Sequence, residues 1–177
     1  MKLLESALRT PNRRIGVIAL AVIILDQLTK FIIVEFLPDS SMEKTVIPGF
    51  FKLVHWQNTG AAWSIFRGNN TVLAIVALVA LVILVFYLRR HHFEARTLTE
   101  QAAFGLICGG IVGNLIDRIR VKSVTDFLYF YLGDWSFPAF NVADSAICTG
   151  VGLVVLLALK SERSPKAAES SPASSAK

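Results

Sequence analysis

The apolar residues of this chain fall into four long runs separated by polar segments. The first extends from Ile15 to Leu37 and is interrupted by Asp26, Lys30 and Glu35. The second, Thr71 to Leu88, holds no charged residue. The third, Leu98 to Ile116, carries only Glu100, and the fourth, Phe140 to Leu159, carries only Asp144. Each run is close to the roughly 20 residues that cross a bilayer as a helix. The pattern predicts an all-α polytopic membrane protein with four transmembrane helices. Its parts are a basic segment over 1–14, a single four-span domain over 15–160 and a tail over 161–177. The tail is rich in Ser, Ala, Lys and Pro and is expected to be disordered. The first run lacks the short apolar core and small-residue cleavage site of a secretory signal peptide, so it is read as a retained span.

The connections differ in character. Between spans one and two, Thr45 to Trp56 is β-branched and aromatic around Pro48 and Gly49, which predicts short strands at a membrane surface. Trp56, Trp63 and Phe66 suit the membrane interface. The connection 117–139 has similar aromatic density from Val124 to Phe137 and is read as a loop. Four spans put both termini on one side. Eleven of the 18 Lys and Arg residues lie in the N-terminal segment, in the short turn between spans two and three, and in the tail together with Lys160 just before it. By the positive-inside rule these face the cytoplasm, and 38–70 and 117–139 face outward.

Composition narrows the class. Of 177 residues, 54% are apolar and 18% charged, against roughly 25% charged in a soluble domain. This excludes an ordinary cytosolic protein, a disordered chain and a disulfide-stapled secreted domain. The net charge of +5 does not point to nucleic acid, because the basic residues sit at the ends of apolar runs and form no aromatic-interleaved patch. Cys108 and Cys148 lie inside apolar runs and are read as buried small hydrophobes. No His or Cys cluster has ligand spacing, so neither a metal nor another cofactor is expected. Two of the three histidines, His91 and His92, fall on the cytoplasmic side, which disfavours a Ser/His/Asp arrangement.

The candidate chemistry lies in the few charges within the spans. A carboxylate at a span centre costs roughly 2.5–3.5 kcal/mol to insert, so it is usually paired or lines a polar cavity. Asp26 and Lys30 are spaced i, i+4 and form either a structural ion pair or part of a site. Gly105, Gly109 and Gly113 recur every four residues and allow close helix approach. Asn114, Asp117 and Arg118 share a face at the outer end of the third span, as an interfacial cap or as site residues. Asn141 and Asp144 share a face of the fourth span, with Asp144 roughly 6 Å beyond Phe140. An intramembrane carboxylate beside an asparagine is a functional candidate, with helix capping as the alternative. Asp126, in the outer connection, is unremarkable alone. Together these groups agree in depth, as do Asn58 and Gly60 if the first loop folds back over the helices. Two carboxylates at an apolar interface can share one proton and activate water against an amide without a metal.

Five segments carry a family resemblance: Leu25-Asp26-Gln27-Leu28-Thr29-Lys30; Asn58-Thr59-Gly60-Ala61-Ala62-Trp63-Ser64; Gly109-Gly110-Ile111-Val112-Gly113-Asn114-Leu115-Ile116-Asp117-Arg118; Val124-Thr125-Asp126-Phe127; and Phe140-Asn141-Val142-Ala143-Asp144-Ser145. In this order and spacing the chain resembles the lipoprotein signal peptidases (signal peptidase II) over residues 15–160. The resemblance implies a bacterial inner-membrane aspartyl endopeptidase. Such enzymes remove the signal peptide of prolipoproteins, cutting before a diacylglyceryl-modified cysteine. It implies Asp126 and Asp144 as the catalytic dyad. Asn58, Gly60, Asn114, Arg118 and Asn141 would shape the site and hold substrate, and Asp26, Lys30 and Asp117 would be supporting polar residues. It also implies a small outer β-element, a short outer helical segment, contact with membrane lipid and a monomer. Trp63 and Ile111 depart from the residues common in the family. Two rival readings are a proton-coupled carrier or channel subunit using Asp26, Lys30 and Asp144, and an assembly factor built on the third span.

Overall fold

The computed structural model describes residues 10–60, 68–90 and 97–162. The expectations for Trp63, Phe66, the basic turn over 91–96 and the tail beyond Glu162 lie outside these residues. The four predicted spans are helices: α1 (Pro11–Phe36), α2 (Asn70–Arg90), α3 (Leu98–Arg120) and α4 (Val142–Glu162). All four are long and apolar enough to cross a membrane. Pro11 opens α1, where its missing N–H costs nothing. Thr97 and Glu100 open α3 with a reciprocal capping box: Thr97 N donates to Glu100 Oε2 at 2.7 Å, and Glu100 N to Thr97 Oγ1 at 3.2 Å. The charge near the start of the third run is therefore a cap.

Many large apolar side chains point away from the protein. Phe31, Ile83 and Leu156 are 62%, 63% and 64% exposed. In α2 only Leu88 is buried. Such surfaces are stable where hydrocarbon covers them. Two charged residues of α1, Asp26 and Lys30, are reversed in placement and lie buried within the bundle, whereas Glu35 is exposed.

Helix α3 is central, and its glycines set the spacing. A Cβ on Gly105 would stand 2.7 Å from Ile18 Cβ, and one on Gly109 would stand 2.7 Å from Ala19 O, both in α1. One on Gly110 would collide with Ala143 and Ile147 of α4. The four-residue glycine spacing thus faces α1, while Gly110 admits α4. At Gly113 a Cβ would lie 2.6 Å from Asp26 Oδ2 and 3.1 Å from its Cγ. The carboxylate cannot yield without losing its buried partners. Gly113→Ala is therefore expected to destabilise the protein by about 1–3 kcal/mol, measurable as a lowered thermal midpoint in detergent.

The two outer connections combine into one antiparallel sheet, order β1-β2-β3-β4: β1 (Glu43–Ile47), β2 (Phe51–Asn58), β3 (Val124–Leu132) and β4 (Trp135–Ser136). The aromatic connection 117–139 supplies β3 and β4. Residues 124–132 begin with β-branched Val124 and Thr125 and continue into an aromatic run, but the longer partner strand, β2, lies in the other connection. Helix α3 also runs past Ile116 to Arg120. Its polar last turn stays helical because Asp117 and Arg118 find partners inside the protein. Among the described residues no short outer helix accompanies the sheet. Of the cysteines, Cys108 is buried as expected, but Cys148 is exposed. It follows Asp144 by one turn and so faces the same cleft.

Candidate active site

The register between β2 and β3 aims Asp126. Trp56 stands opposite Asp126 and Asn58 opposite Val124, after a bulge between Leu53 and Trp56. Asn58 is then the diagonal neighbour of Asp126 on one face, and its Nδ2 donates to Asp126 Oδ2 at 2.9 Å. A one-residue slip would turn Asp126 to the opposite face. Phe140 is clamped beside β3: Phe127 N and Leu128 N donate to Phe140 O at 3.0 and 2.9 Å, and Phe140 N donates to Leu128 O at 3.1 Å. The start of α4 is thereby held against Asp126.

Asn141 forms that start and touches both carboxylates. Its Nδ2 donates to Asp126 Oδ1 at 2.8 Å. Its Oδ1 accepts from Asp144 N at 2.9 Å, and its own N donates to Asp144 Oδ2 at 3.3 Å. The latter pair is a capping box of Asn and Asp. The helix-capping reading of Asp144 is thus correct for one oxygen. The other oxygen, Oδ1, accepts from Asn114 Nδ2 at 2.7 Å, and the side chain lines a cleft of about 1140 Å³ together with Asp126.

The asparagine amides are each oriented by a donor at their oxygen. Gly60 N donates to Asn58 Oδ1 at 2.9 Å, Asp144 N to Asn141 Oδ1, and Lys30 Nζ to Asn114 Oδ1 at 3.0 Å. Each Nδ2 is therefore turned toward an aspartate. Asp126 is buried, and burial with the nearby charge of Asp144 pushes its carboxyl up to about 7, against the opposing hydrogen bonds from Asn58 and Asn141.

The Arg118 guanidinium donates from Nη2 to Gly60 O at 2.8 Å and from Nη1 to Asn70 Oδ1 at 3.2 Å. It ties the loop after β2 to α3 at the wall of the cleft. Asp26, Lys30 and Asp117 lie behind the cleft. Lys30 Nζ is 2.8 Å from Asp26 Oδ2 and 2.9 Å from Asp117 Oδ2. Asp26 Oδ1 accepts from Ala143 N at 2.9 Å, at the positive end of α4. All ten residues singled out in the sequence therefore belong to one connected assembly, with Asn58, Gly60, Asn114, Arg118, Asp126 and Asp144 at the cleft itself.

Comparison with known proteins identifies the family. Residues 18–160 match the family model for signal peptidase (SPase) II. The chain belongs to the signal peptidase II family. It is similar to the lipoprotein signal peptidase of Symbiobacterium thermophilum, with 42% identity over 147 residues, covering 83% of this chain and 95% of that protein. The lipoprotein signal peptidase of Bacillus pumilus is 40% identical over 142 residues, covering 79% and 88%. A solved structure described as a bacterial membrane enzyme, determined by the in meso method at 2.3 Å resolution, superposes with a TM-score of 0.77 at 34% identity, covering 89% of this chain and 94% of that one. Membership in the signal peptidase II family makes the protein a multi-pass membrane peptidase, and the carrier reading has no support.

Several members of this assembly were not singled out by sequence. Asn70 holds Arg118, and also donates to Arg118 O at 3.0 Å. Its only signal was its place just before an apolar run. Gln27 Nε2 reaches Asp117 Oδ1 at 3.0 Å and Gly113 O at 3.2 Å, although it sits within a recognised motif. Phe137, Pro138 and Ala139 form an apolar part of the lining.

Proposed function

We propose that this protein is an aspartyl endopeptidase that removes the signal peptide of bacterial prolipoproteins before the diacylglyceryl-modified cysteine, with Asp126 and Asp144 as its dyad. The observation that carries the reading is that Asn141 hydrogen-bonds both carboxylates at the wall of one cleft. In its working state the dyad holds one proton, assigned at rest to Asp126. Asp144 takes a proton from water as the water oxygen attacks the scissile carbonyl carbon. Asp126 gives its proton to the carbonyl oxygen, forming a gem-diol. The C–N bond then breaks, Asp144 protonates the leaving amine, and Asp126 recovers its proton from the diol. Asn58, Gly60 and Arg118 hold substrate backbone at the rim. The signal helix lies along the apolar lining, with the lipid chains in the bilayer.

This reading includes a monomer in the bacterial inner membrane, both termini in the cytoplasm and the cleft near the outer face. The distribution of Lys and Arg supports that orientation. The test is incubation of the detergent-purified protein with a diacylglyceryl-modified prolipoprotein. Cleavage immediately before the lipidated cysteine is expected. Folded protein that leaves this substrate intact, or cuts elsewhere, would refute the reading.

The raised carboxyl of Asp126 has two consequences for pH. Loss of the shared proton gives kcat/KM an alkaline limb with an apparent pKa of about 7, which belongs to the pair. For stability, the folded protein holds a proton that the unfolded chain releases at the usual 3.8. Stability contributed by this group therefore falls as pH rises from 3.8 to about 7, and the loss is complete above that window. Asp126→Asn should flatten this dependence when thermal midpoints are compared between pH 5 and 8.

A further inference from the structure

Lys30 saturates its ammonium group in an unusual way. Its three N–H bonds have three acceptors: Asp26 Oδ2, Asp117 Oδ2 and Asn114 Oδ1. Two are carboxylates and would suffice to neutralise the charge. The third is the amide oxygen of the residue whose Nδ2 donates to Asp144 at 2.7 Å. Lys30 has only donors, so it permits one orientation of the Asn114 amide, with oxygen toward Lys30 and nitrogen toward Asp144. An ammonium on the amide oxygen also polarises that amide and strengthens its N–H as a donor.

No amide donor of Asp126 is backed directly by a cation in this way. Its two amide donors, Asn58 and Asn141, are oriented by backbone N–H groups of Gly60 and Asp144, which carry no net charge. The two aspartates therefore sit in similar donor cages that differ in one respect. Only the cage of Asp144 is backed by a cation through a single side chain.

We infer that Lys30 is a positioning residue for the peptidase reaction, acting through Asn114 to hold Asp144 as the ionised, water-activating member of the dyad. This rests on the assignment of the dyad above. The charged and titratable groups around the relay are Asp26 and Lys30 from α1, Asp117, Arg118 and Asn114's neighbours on α3, Asp126 from β3, and Asp144 on α4 itself. Among them Lys30 supplies the cation that reaches Asp144 through one intervening amide.

The test is a double-mutant cycle between Lys30 and Asn114, read by kcat, KM and the pH profile on prolipoprotein substrate. Asn114→Leu leaves Lys30 its two carboxylates and breaks the relay. Lys30→Gln combined with Asp117→Asn removes one positive and one negative charge together. Each is expected to lower kcat by about 10- to 100-fold with little change in KM, and to move the acidic limb of the kcat profile toward neutral pH. The effects should not add: with Leu at 114, changing Lys30 and Asp117 should alter kcat by less than about 2-fold. Additive effects, or kcat and pH profile unchanged in folded Asn114→Leu, would overturn the relay. If that Lys30 variant does not fold, Lys30→Met combined with Asp117→Leu, an apolar replacement of the buried pair, takes its place in the same cycle with the same outcomes. A signal peptidase with active Asp144→Asn would instead overturn the dyad, so the two failures are distinguishable.

Discussion

Asparagine in place of either Asp126 or Asp144 is expected to lower prolipoprotein cleavage by at least about 10³-fold while the protein remains folded and membrane-inserted. An amide neither takes a proton from water nor returns one to the amine, so no step of acid-base exchange survives. The fold should tolerate both changes because the side chains are nearly isosteric. Their hydrogen bonding is not equivalent, however. Asp126 accepts from Asn58 and Asn141 on separate oxygens, and Asp144 accepts from Asn114 and Asn141 N. An asparagine offers one oxygen and turns an NH2 toward the other donor, which costs about 1–3 kcal/mol in a buried site. At position 126 this is offset by removal of a carboxyl that burial holds at about 7. Cleavage assays at matched protein, with thermal midpoints recorded in parallel, check both parts. Near-normal turnover in either variant would remove that carboxyl from the chemistry.

The largest stability effect is expected at Lys30. Lys30→Met should destabilise the protein by about 3–5 kcal/mol, the range for breaking a buried ion pair by deleting one partner. The side chains of Lys30 and Asp26 are 5% and 0% exposed, and that of Asp117 is 8% exposed. Without the ammonium, two carboxylates face each other across the interface of α1 and α3 with no cation between them. Asp26 keeps its bond from Ala143 N, and Asp117 keeps Gln27 and Thr125 N. These neutral donors offset only part of the loss. The expected result is a sharply lowered thermal midpoint, partly restored when Asp117→Asn is added. An unchanged midpoint for Lys30→Met would show that the buried network contributes little to stability.

The ion network also shows where sequence reasoning stops. The i, i+4 spacing of Asp26 and Lys30 was visible, and with it the possibility of a local pair. Nothing local indicates that Lys30 also meets Asp117, or that Asp26 accepts from Ala143, 117 positions away. The same holds at Asp144. Its capping role follows from the nearby Asn141, whereas its approach to Asn114 comes from helix packing.

What the sequence determined by itself is set by local physics. Four long apolar runs have one stable home, the bilayer, because backbone polar groups there must be satisfied within helices. Charges that interrupt such runs are costly, which marks Asp26, Lys30 and Asp144 without any knowledge of the fold. Order and spacing of five short motifs named the family. The glycine repeat at 105, 109 and 113 announced a close helix contact, although not that its partner was α1. What only the tertiary structure decided depends on partners far apart in the chain. Asp126 looks like a solvated loop residue until β3 pairs with β2 and Asn58, 68 positions away, donates to it. The direction of each asparagine amide, the use of Arg118 to hold Gly60, and the exposure of Cys148 follow from contacts between elements. Sequence spacing reaches one turn of a helix or the opposite face of a strand, while the chemistry of this site is assembled across five elements by packing.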